Sequence, residues 1–451
     1  MNTTLMKASN AMGGQLIGGD SSFENVSIDS RTIERDQLFF AISGPNFDGH
    51  DYVASAAEQG AVAAVVTHEC DAAISQIVVE DTRAALGRLG TAWRDRFDVV
   101  TVGITGSNGK TTLKEMIGAC LASRAETLIT QGNLNNELGV PLMLLKLNDS
   151  HQFGVFEMGA NHAGEIAYLT SLVKPQYVVL SNAGPAHLEG FGSLDGVARA
   201  KGEIFAGEPR PECAFLNADD YYFEYWQTLV TDIDFISFGL NEGAHVRATD
   251  VKLHPRGSRF RLCLPTGNVM IELPLPGIHN VRNACAAAAV VNRIGLDADE
   301  IASSLAAIEA VDGRLKPIPG LQGSRLFDDS YNANPTSVLA AGEYLASLPG
   351  DSIMVLGDML ELGPDEAALH TRLGTELKDA GIDRVLATGP LSKHTVSGFG
   401  GDAHWYDSVE KLVKALAPTI KRDSNVLVKG SRSMRMERVV DALRSEREGD
   451  S

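Results

Sequence analysis

The chain has 451 residues, which at roughly 150 residues per domain predicts three domains. Its 39 Lys and Arg against 58 Asp and Glu give a net charge of −19, which argues against a general binder of nucleic acid or of anionic membranes. With 44% hydrophobic and 22% charged residues, only 6% aromatics and 45 glycines, it reads as a soluble globular protein with aliphatic cores and many tight turns.

Chain order supplies the elements. Residues 38–42 and 63–66 read as strands around a helical stretch at 52–59. A helix is expected at 82–94, where Ala85, Leu86, Leu89, Ala92 and Trp93 recur at helical spacing. The apolar strand 99–105 precedes a glycine loop and a helix from Thr111, whose Leu113, Met116, Ile117, Cys120 and Leu121 fall on one face. Short strands follow at 153–158, 177–182, 213–217 and 235–239. Between 245 and 275, apolar residues alternate on both sides of Pro265-Thr266-Gly267-Asn268, predicting a β-hairpin appended to the central region. A helix is expected at 280–294. Strands at 325–328, 353–357, 385–389 and 426–430 then alternate with helices at 337–347, 365–380, 408–417 and 433–447, the pattern of a Rossmann-like parallel sheet. The expected fold is α/β in three domains. A small α/β N-terminal domain spans 1–82, a central mononucleotide-binding parallel-sheet domain with the hairpin spans 83–312, and a Rossmann-like domain spans 313–451.

Cys70, Cys120, Cys213, Cys263 and Cys285 form no C-x-x-C pair and sit among apolar or small residues, as buried free thiols in a reducing compartment would. Residues 1–14 lack the apolar core of a secretion signal, and the longest apolar run, near 284–291, falls far short of the roughly 20 residues of a membrane span. A cytoplasmic protein is expected, with neither nucleic acid nor membrane as partner.

The strongest chemical signal is Gly106-Ser107-Asn108-Gly109-Lys110-Thr111-Thr112, between a strand and a helix. Glycines let backbone N–H groups approach phosphates, Lys110 supplies a cation, Thr111 a hydroxyl for Mg²⁺, and the helix N-terminus faces the anion. The usual spacing would put glycine at Ile104; here it stands at 103 and 106. The loop implies ATP. Glu157 closes the strand at 153–158 near this loop, where a carboxylate can hold Mg²⁺; the plainer reading is a solvated strand end. Arg314, at the junction of the second and third regions, suits a γ-phosphate contact made on domain closure or a hinge ion pair. Asp329 can accept from ribose hydroxyls, and the Asn-rich turn after it, with Tyr331, Asn332 and Asn334, offers neutral donors as well as a helix cap. His279-Asn280-Val281-Arg282-Asn283 opens the Ala-rich helix, where paired amides can read adenine or Asn280 can cap the helix.

The phosphate loop, Thr130-Gln131-Gly132-Asn133-Leu134-Asn135-Asn136 and Glu157-Met158-Gly159-Ala160 together resemble the Mur ligase superfamily, in family order over nearly the whole chain. The resemblance implies ATP-dependent amide-bond formation on nucleotide-linked peptidoglycan precursors, with two Mg²⁺ ions. It assigns a metal-associated role to His187 and nucleotide contact to His279, Asn280 and Asn283. It also implies that Lys201, otherwise an ordinary helix lysine, is carbamylated by CO₂ to help hold the second metal. Asp328-Asp329-Ser330-Tyr331-Asn332-Ala333-Asn334-Pro335, with 356–363 and 429–432, resembles the subfamily that adds D-Ala-D-Ala to a UDP-N-acetylmuramoyl-tripeptide. By the same resemblance Ser30, Arg31, Thr32, Asn46, Asp48, Gly49 and His50 meet the uridine diphosphate end, and Asn133 and Asn136 the rest of that substrate. A monomer is expected. A different amino-acid-adding or folylpolyglutamate-like ligase stays open, as does an ATPase that couples hydrolysis to partner binding.

Overall fold

The computed structural model describes residues 2–445 and folds them around three sheets. The first has the order Gln15–Ile17, Ser75–Val78, Ala63–Val66, Gln37–Phe40, Asn25–Ser27, parallel except at its first edge. The helix Leu5–Met12, absent from the sequence reading, covers part of it. Thr4 caps its start, Gly13 ends it in the left-handed region at φ 69°, and Leu5, Ala8 and Met12 face the core.

The second sheet carries nine strands, and its order around Val100–Thr105 places that strand between Phe153–Glu157 and Tyr177–Leu180. Chain order reverses there, so the carboxyl ends of these three strands open a crevice. The expected hairpin is present as Gly257–Leu264 and Gly267–Leu273, with a third strand, Val246–His254. That strand also pairs in parallel with Asp234–Gly239, so the meander extends the main sheet. The helix observed at Ile278–Ile294 begins two residues earlier than expected, with Gly277 rather than Asn280 at its cap.

The third sheet has the order Lys316–Pro319, Arg325–Asp329, Asn425–Lys429, Ser352–Leu356, Arg384–Thr388, Ala403–Tyr406. Only the Lys316–Pro319 edge is antiparallel, and its Pro317 and Pro319 suit an edge, where a missing N–H leaves no ladder bond unmade. The expected 433–447 helix is a short 3₁₀ turn, Arg432–Met434, followed by Glu437–Leu443; its last residues lie outside the described ones. Among the five cysteines, Cys120, Cys213 and Cys285 are buried as expected, but Cys70 and Cys263 are only half-buried.

The cores divide unevenly. One buried apolar cluster runs from Leu5, Phe40 and Ile77 of the first region through Leu86 and Trp93 to Phe156 and Leu180 of the second. The helix Thr82–Arg94 lies inside it, shared by both regions. The third region fills two clusters of its own, one on each face of its sheet. No described helix is long and apolar enough to cross a membrane.

Candidate active site

The phosphate loop is held open by its neighbours. Gly106 sits at φ 149°, and a Cβ there would lie 2.0 Å from Ser181 Oγ; Gly109 sits at φ 80° against the Asn283 amide. Both positions require glycine. The Asn108 N–H donates to Asn182 Oδ1 at 2.9 Å, Asn182 Nδ2 donates back to Asn108 O at 2.9 Å, and Gly184 N–H donates to Ser107 Oγ at 2.9 Å. Lys110 folds back, its Nζ donating to Gly106 O at 2.8 Å. Burial holds its pKa below the ordinary lysine value, the Glu157 carboxylate opposes this, and Arg314 adds to it. The helix Lys110–Ala122 starts at this loop, so Thr111 and Thr112 occupy its first turn.

Glu157 ends its strand 2% exposed. Its Oε1 accepts from Asn135 Nδ2 at 2.7 Å, while its Oε2 is buried without a hydrogen-bond partner among the described residues. A buried carboxylate oxygen left this way is costly unless a cation meets it, so the site fits Mg²⁺, which takes oxygen ligands. Thr111 Oγ1 and Glu157 line the same cleft, of about 1080 Å³. Lys201, on the helix Leu194–Gly202, is 2% exposed; its Nζ lies 3.4 Å from Ala160 O and 5.3 Å from the Phe191 ring centroid. Burial first, then repulsion from Lys110, pushes its pKa down to about 7. His187 takes the left-handed region at φ 53° and hydrogen-bonds through Nδ1 to Glu361 of the third region.

The third region also reaches the phosphate loop. Asn334 Nδ2 donates to Asn108 Oδ1 at 2.7 Å, and Arg314 Nη2 donates to Thr111 Oγ1 at 3.3 Å with its guanidinium 4.1 Å over the Tyr331 ring. Asp329 Oδ2 accepts from Lys429 Nζ at 2.7 Å and its Oδ1 from Leu315 N–H at 3.1 Å, so both oxygens already have partners. Lys429 donates in addition to Asn332 O at 2.9 Å.

His279, Asn280 and Asn283 line the same cleft, with the Asn283 amide beside Gly109 of the phosphate loop. Asn280 Nδ2 donates to Pro276 O at 2.7 Å, and Asn283 Nδ2 lies 3.4 Å from Asn280 Oδ1. Burial pushes the His279 pKa down to about 4, which keeps its ring neutral at neutral pH. Asn133 and Asn136 also line the cleft. Asn136 Oδ1 accepts from the N–H of Gly139, the first residue of the helix Gly139–Leu144, at 2.9 Å.

The segments expected at the uridine end are not brought into the cleft lining; they decorate the first sheet. Asp29 caps the turn Ser30–Thr32 and draws Arg31 back onto itself, Nη2 donating to Asp29 Oδ2 at 2.7 Å. Asn46 precedes the strand Phe47–Asp48. Asp48 Oδ1 accepts from Ser43 Oγ, from His50 N–H and from His50 Nδ1 at 2.6–3.0 Å. Gly49 packs against the Ala41–Ile42 backbone, where a Cβ would meet atoms at 2.6 Å. Arg83 ties this hairpin to the central region through Ser43 O at 2.8 Å and Glu137 at 2.9 Å.

Sequence reasoning met Asn135, Asn182, Lys429 and Glu361 only inside motif strings and gave none of them a role. Asn182 and Lys429 follow or end apolar strands, and that position was the available signal. Lys429 stands opposite Asp329 in the parallel register, which no single strand reveals.

Family models match three stretches: "Mur ligase family, catalytic domain" at 22–94, "Mur ligase middle domain" at 104–291 and "Mur ligase, glutamate ligase domain" at 313–432. The UDP-N-acetylmuramoyl-tripeptide–D-alanyl-D-alanine ligase of Escherichia coli (strain K12) is 42% identical over 446 residues, 98% of each chain. The chain belongs to the Mur ligase family. A crystal structure of MurF from Acinetobacter baumannii superposes on this Mur ligase with a TM-score of 0.93 at 36% identity, covering 98% of both chains. MurF from Thermotoga maritima in complex with ADP does so with a TM-score of 0.84 at 28% identity, covering 93% of this Mur ligase and 96% of that chain.

Proposed function

We propose that this Mur ligase joins D-Ala-D-Ala to UDP-N-acetylmuramoyl-tripeptide, converting ATP to ADP and phosphate, in the synthesis of the peptidoglycan precursor. The observation that carries the reading is the meeting of the phosphate loop with the Asp328–Pro335 segment through Asn108 and Asn334. A carboxylate resists amine attack at neutral pH, so it must first be activated. The tripeptide carboxylate oxygen attacks the γ-phosphorus, the bond to the bridging oxygen breaks, and ADP leaves an acyl phosphate. The amine of the dipeptide then attacks the acyl carbon, and phosphate departs from the tetrahedral intermediate as the amide forms.

Lys110 and Arg314 stabilise charge on the transferring phosphoryl group, while Gly106, Ser107, Asn108, Gly109 and Thr112 position the phosphates through the loop and helix start. Thr111, Glu157, His187 and Lys201, the last as its carbamate, would hold Mg²⁺, which when bound would neutralise phosphate charge. The carbamate forms when neutral Lys201 Nζ attacks CO₂ and releases one proton. A pKa pushed down to about 7 leaves far more of the amine neutral at pH 7 than an ordinary lysine has. His279, Asn280 and Asn283 face adenine and Asp329 the ribose. Ser30, Arg31, Thr32, Asn46, Asp48, Gly49 and His50 take the uridine end, Asn133 and Asn136 the remainder of that substrate, and Tyr331, Asn332 and Asn334 the incoming dipeptide. Regions 1–82, 83–312 and 313–451 divide these tasks, within a cytoplasmic monomer.

The test is phosphate release with the UDP-tripeptide and ATP, comparing D-Ala-D-Ala with single amino acids and glutamate. Release dependent on D-Ala-D-Ala, with a pentapeptide product, supports the reading. Release with glutamate alone, or with no acceptor amine, overturns it.

A further inference from the structure

The contact between His187 and Glu361 crosses from the central to the third region and joins residues 174 apart in the chain. Both lie in the left-handed region, His187 at φ 53° and Glu361 at φ 63°. For residues with a Cβ such backbone is unfavourable and persists only where the surroundings impose it. The surroundings of Glu361 do so. Asp358 Oδ1 accepts from Ser392 N–H at 2.7 Å, Met359 N–H donates to His370 Nε2 at 3.1 Å, and Leu360 N–H donates to Ser431 Oγ at 2.9 Å. The turn is pinned on three sides, and its carbonyl at Glu361 accepts from Glu189 N–H at 3.4 Å, two residues beyond His187. A chance surface ion pair needs neither a pinned turn nor strained backbone at both ends.

We propose that Glu361 is a positioning residue for His187: it accepts a hydrogen bond from Nδ1–H across the domain boundary, fixes the ring, and leaves Nε2 as the nitrogen free to bind a cation. A carboxylate behind a metal-binding histidine orients the ring and raises its basicity. Because Glu361 belongs to the third region, the His187 ring is fixed only while that region is seated. Metal affinity and domain closure are therefore coupled, and each strengthens the other. This rests on the reading of His187 as a metal ligand.

The experiment titrates Mn²⁺ into the full-length protein in bicarbonate buffer and reads free Mn²⁺ by electron paramagnetic resonance. Glu361→Ala is expected to weaken binding about tenfold or more, in the range that such supporting carboxylates command. Glu361→Gln keeps an acceptor for the Nδ1 proton and is expected to stay within about threefold of wild type. The Glu361 side chain is 55% exposed, so both variants should fold, which circular dichroism checks. Three outcomes overturn the proposal. Glu361→Ala within twofold of wild type, while His187→Ala loses the site, removes the positioning role alone. Equal losses in Gln and Ala make Glu361 a direct ligand. Unchanged binding in His187→Ala removes the metal reading of His187 itself, and the proposal with it.

Discussion

Lys429→Met should unfold the third region far more readily than the loss of one surface charge would. The Lys429 side chain is 4% exposed and its Asp329 partner 12%, with Nζ and Oδ2 2.7 Å apart. Without the lysine, the carboxylate keeps only the Leu315 N–H at 3.1 Å, and Asn332 O loses the donor now at 2.9 Å. Breaking a buried pair from one side costs about 3–5 kcal/mol because a charge stays behind without compensation. For a region of this size that is a fall on the order of 10 °C in melting temperature. Urea unfolding followed by circular dichroism, with hydrogen exchange reading the strand Asn425–Lys429, measures it. The double variant Asp329→Leu/Lys429→Met removes both charges and should recover most of the loss. A single variant that loses less than about 1 kcal/mol, or a double variant no better than the single, would refute the argument.

Three further outcomes are expected. Gly106→Ala must shift the buried Ser181 or the loop to clear a 2.0 Å contact, so ADP affinity measured by calorimetry should fall and the melting temperature with it; unchanged ADP affinity would count against the reading of the loop. ¹³CO₂ should label Lys201 with a carbamate signal that Lys201→Arg abolishes. Because the amine is neutral above its pKa near 7 and protonated below, that signal should fade as pH drops through 7. His279, held near 4 against an ordinary value of 6.5, contributes stability that is fully present above pH 6.5 and is lost as pH falls toward 4. His279→Gln should flatten that part of the urea-midpoint profile, and an unchanged acid limb would rule the residue out.

Part of the cleft lining was legible because some of its residues sit at or just beyond strand ends, where one apolar run announces the strand and the next few residues the chemistry. Lys110, Glu157 and Asp329 are of this kind. The helix Thr82–Arg94 carries its periodicity openly. What stayed hidden depends on register and on contacts between distant segments. That Lys429 faces Asp329 follows from strand order, which places the last parallel strand beside the first. The Glu361–His187 contact and the Asn108–Asn334 bond join regions that sequence can only treat one at a time. The third strand of the meander was missed for a milder reason: Val246–His254 alternates buried and half-buried residues only over its first half, bulges between Thr249 and Lys252, and is exposed over its last three residues.

The uneven partition of the cores has a thermodynamic consequence. Regions sharing a buried cluster must melt as one cooperative block, whereas none of the buried clusters among the described residues joins the third region to the others. Calorimetry of the ligand-free chain should therefore show two endotherms, the smaller belonging to the third region. Molecules gripped from both banks of the cleft bind only when both blocks are folded, so saturating nucleotide and acceptor should draw the two transitions toward one.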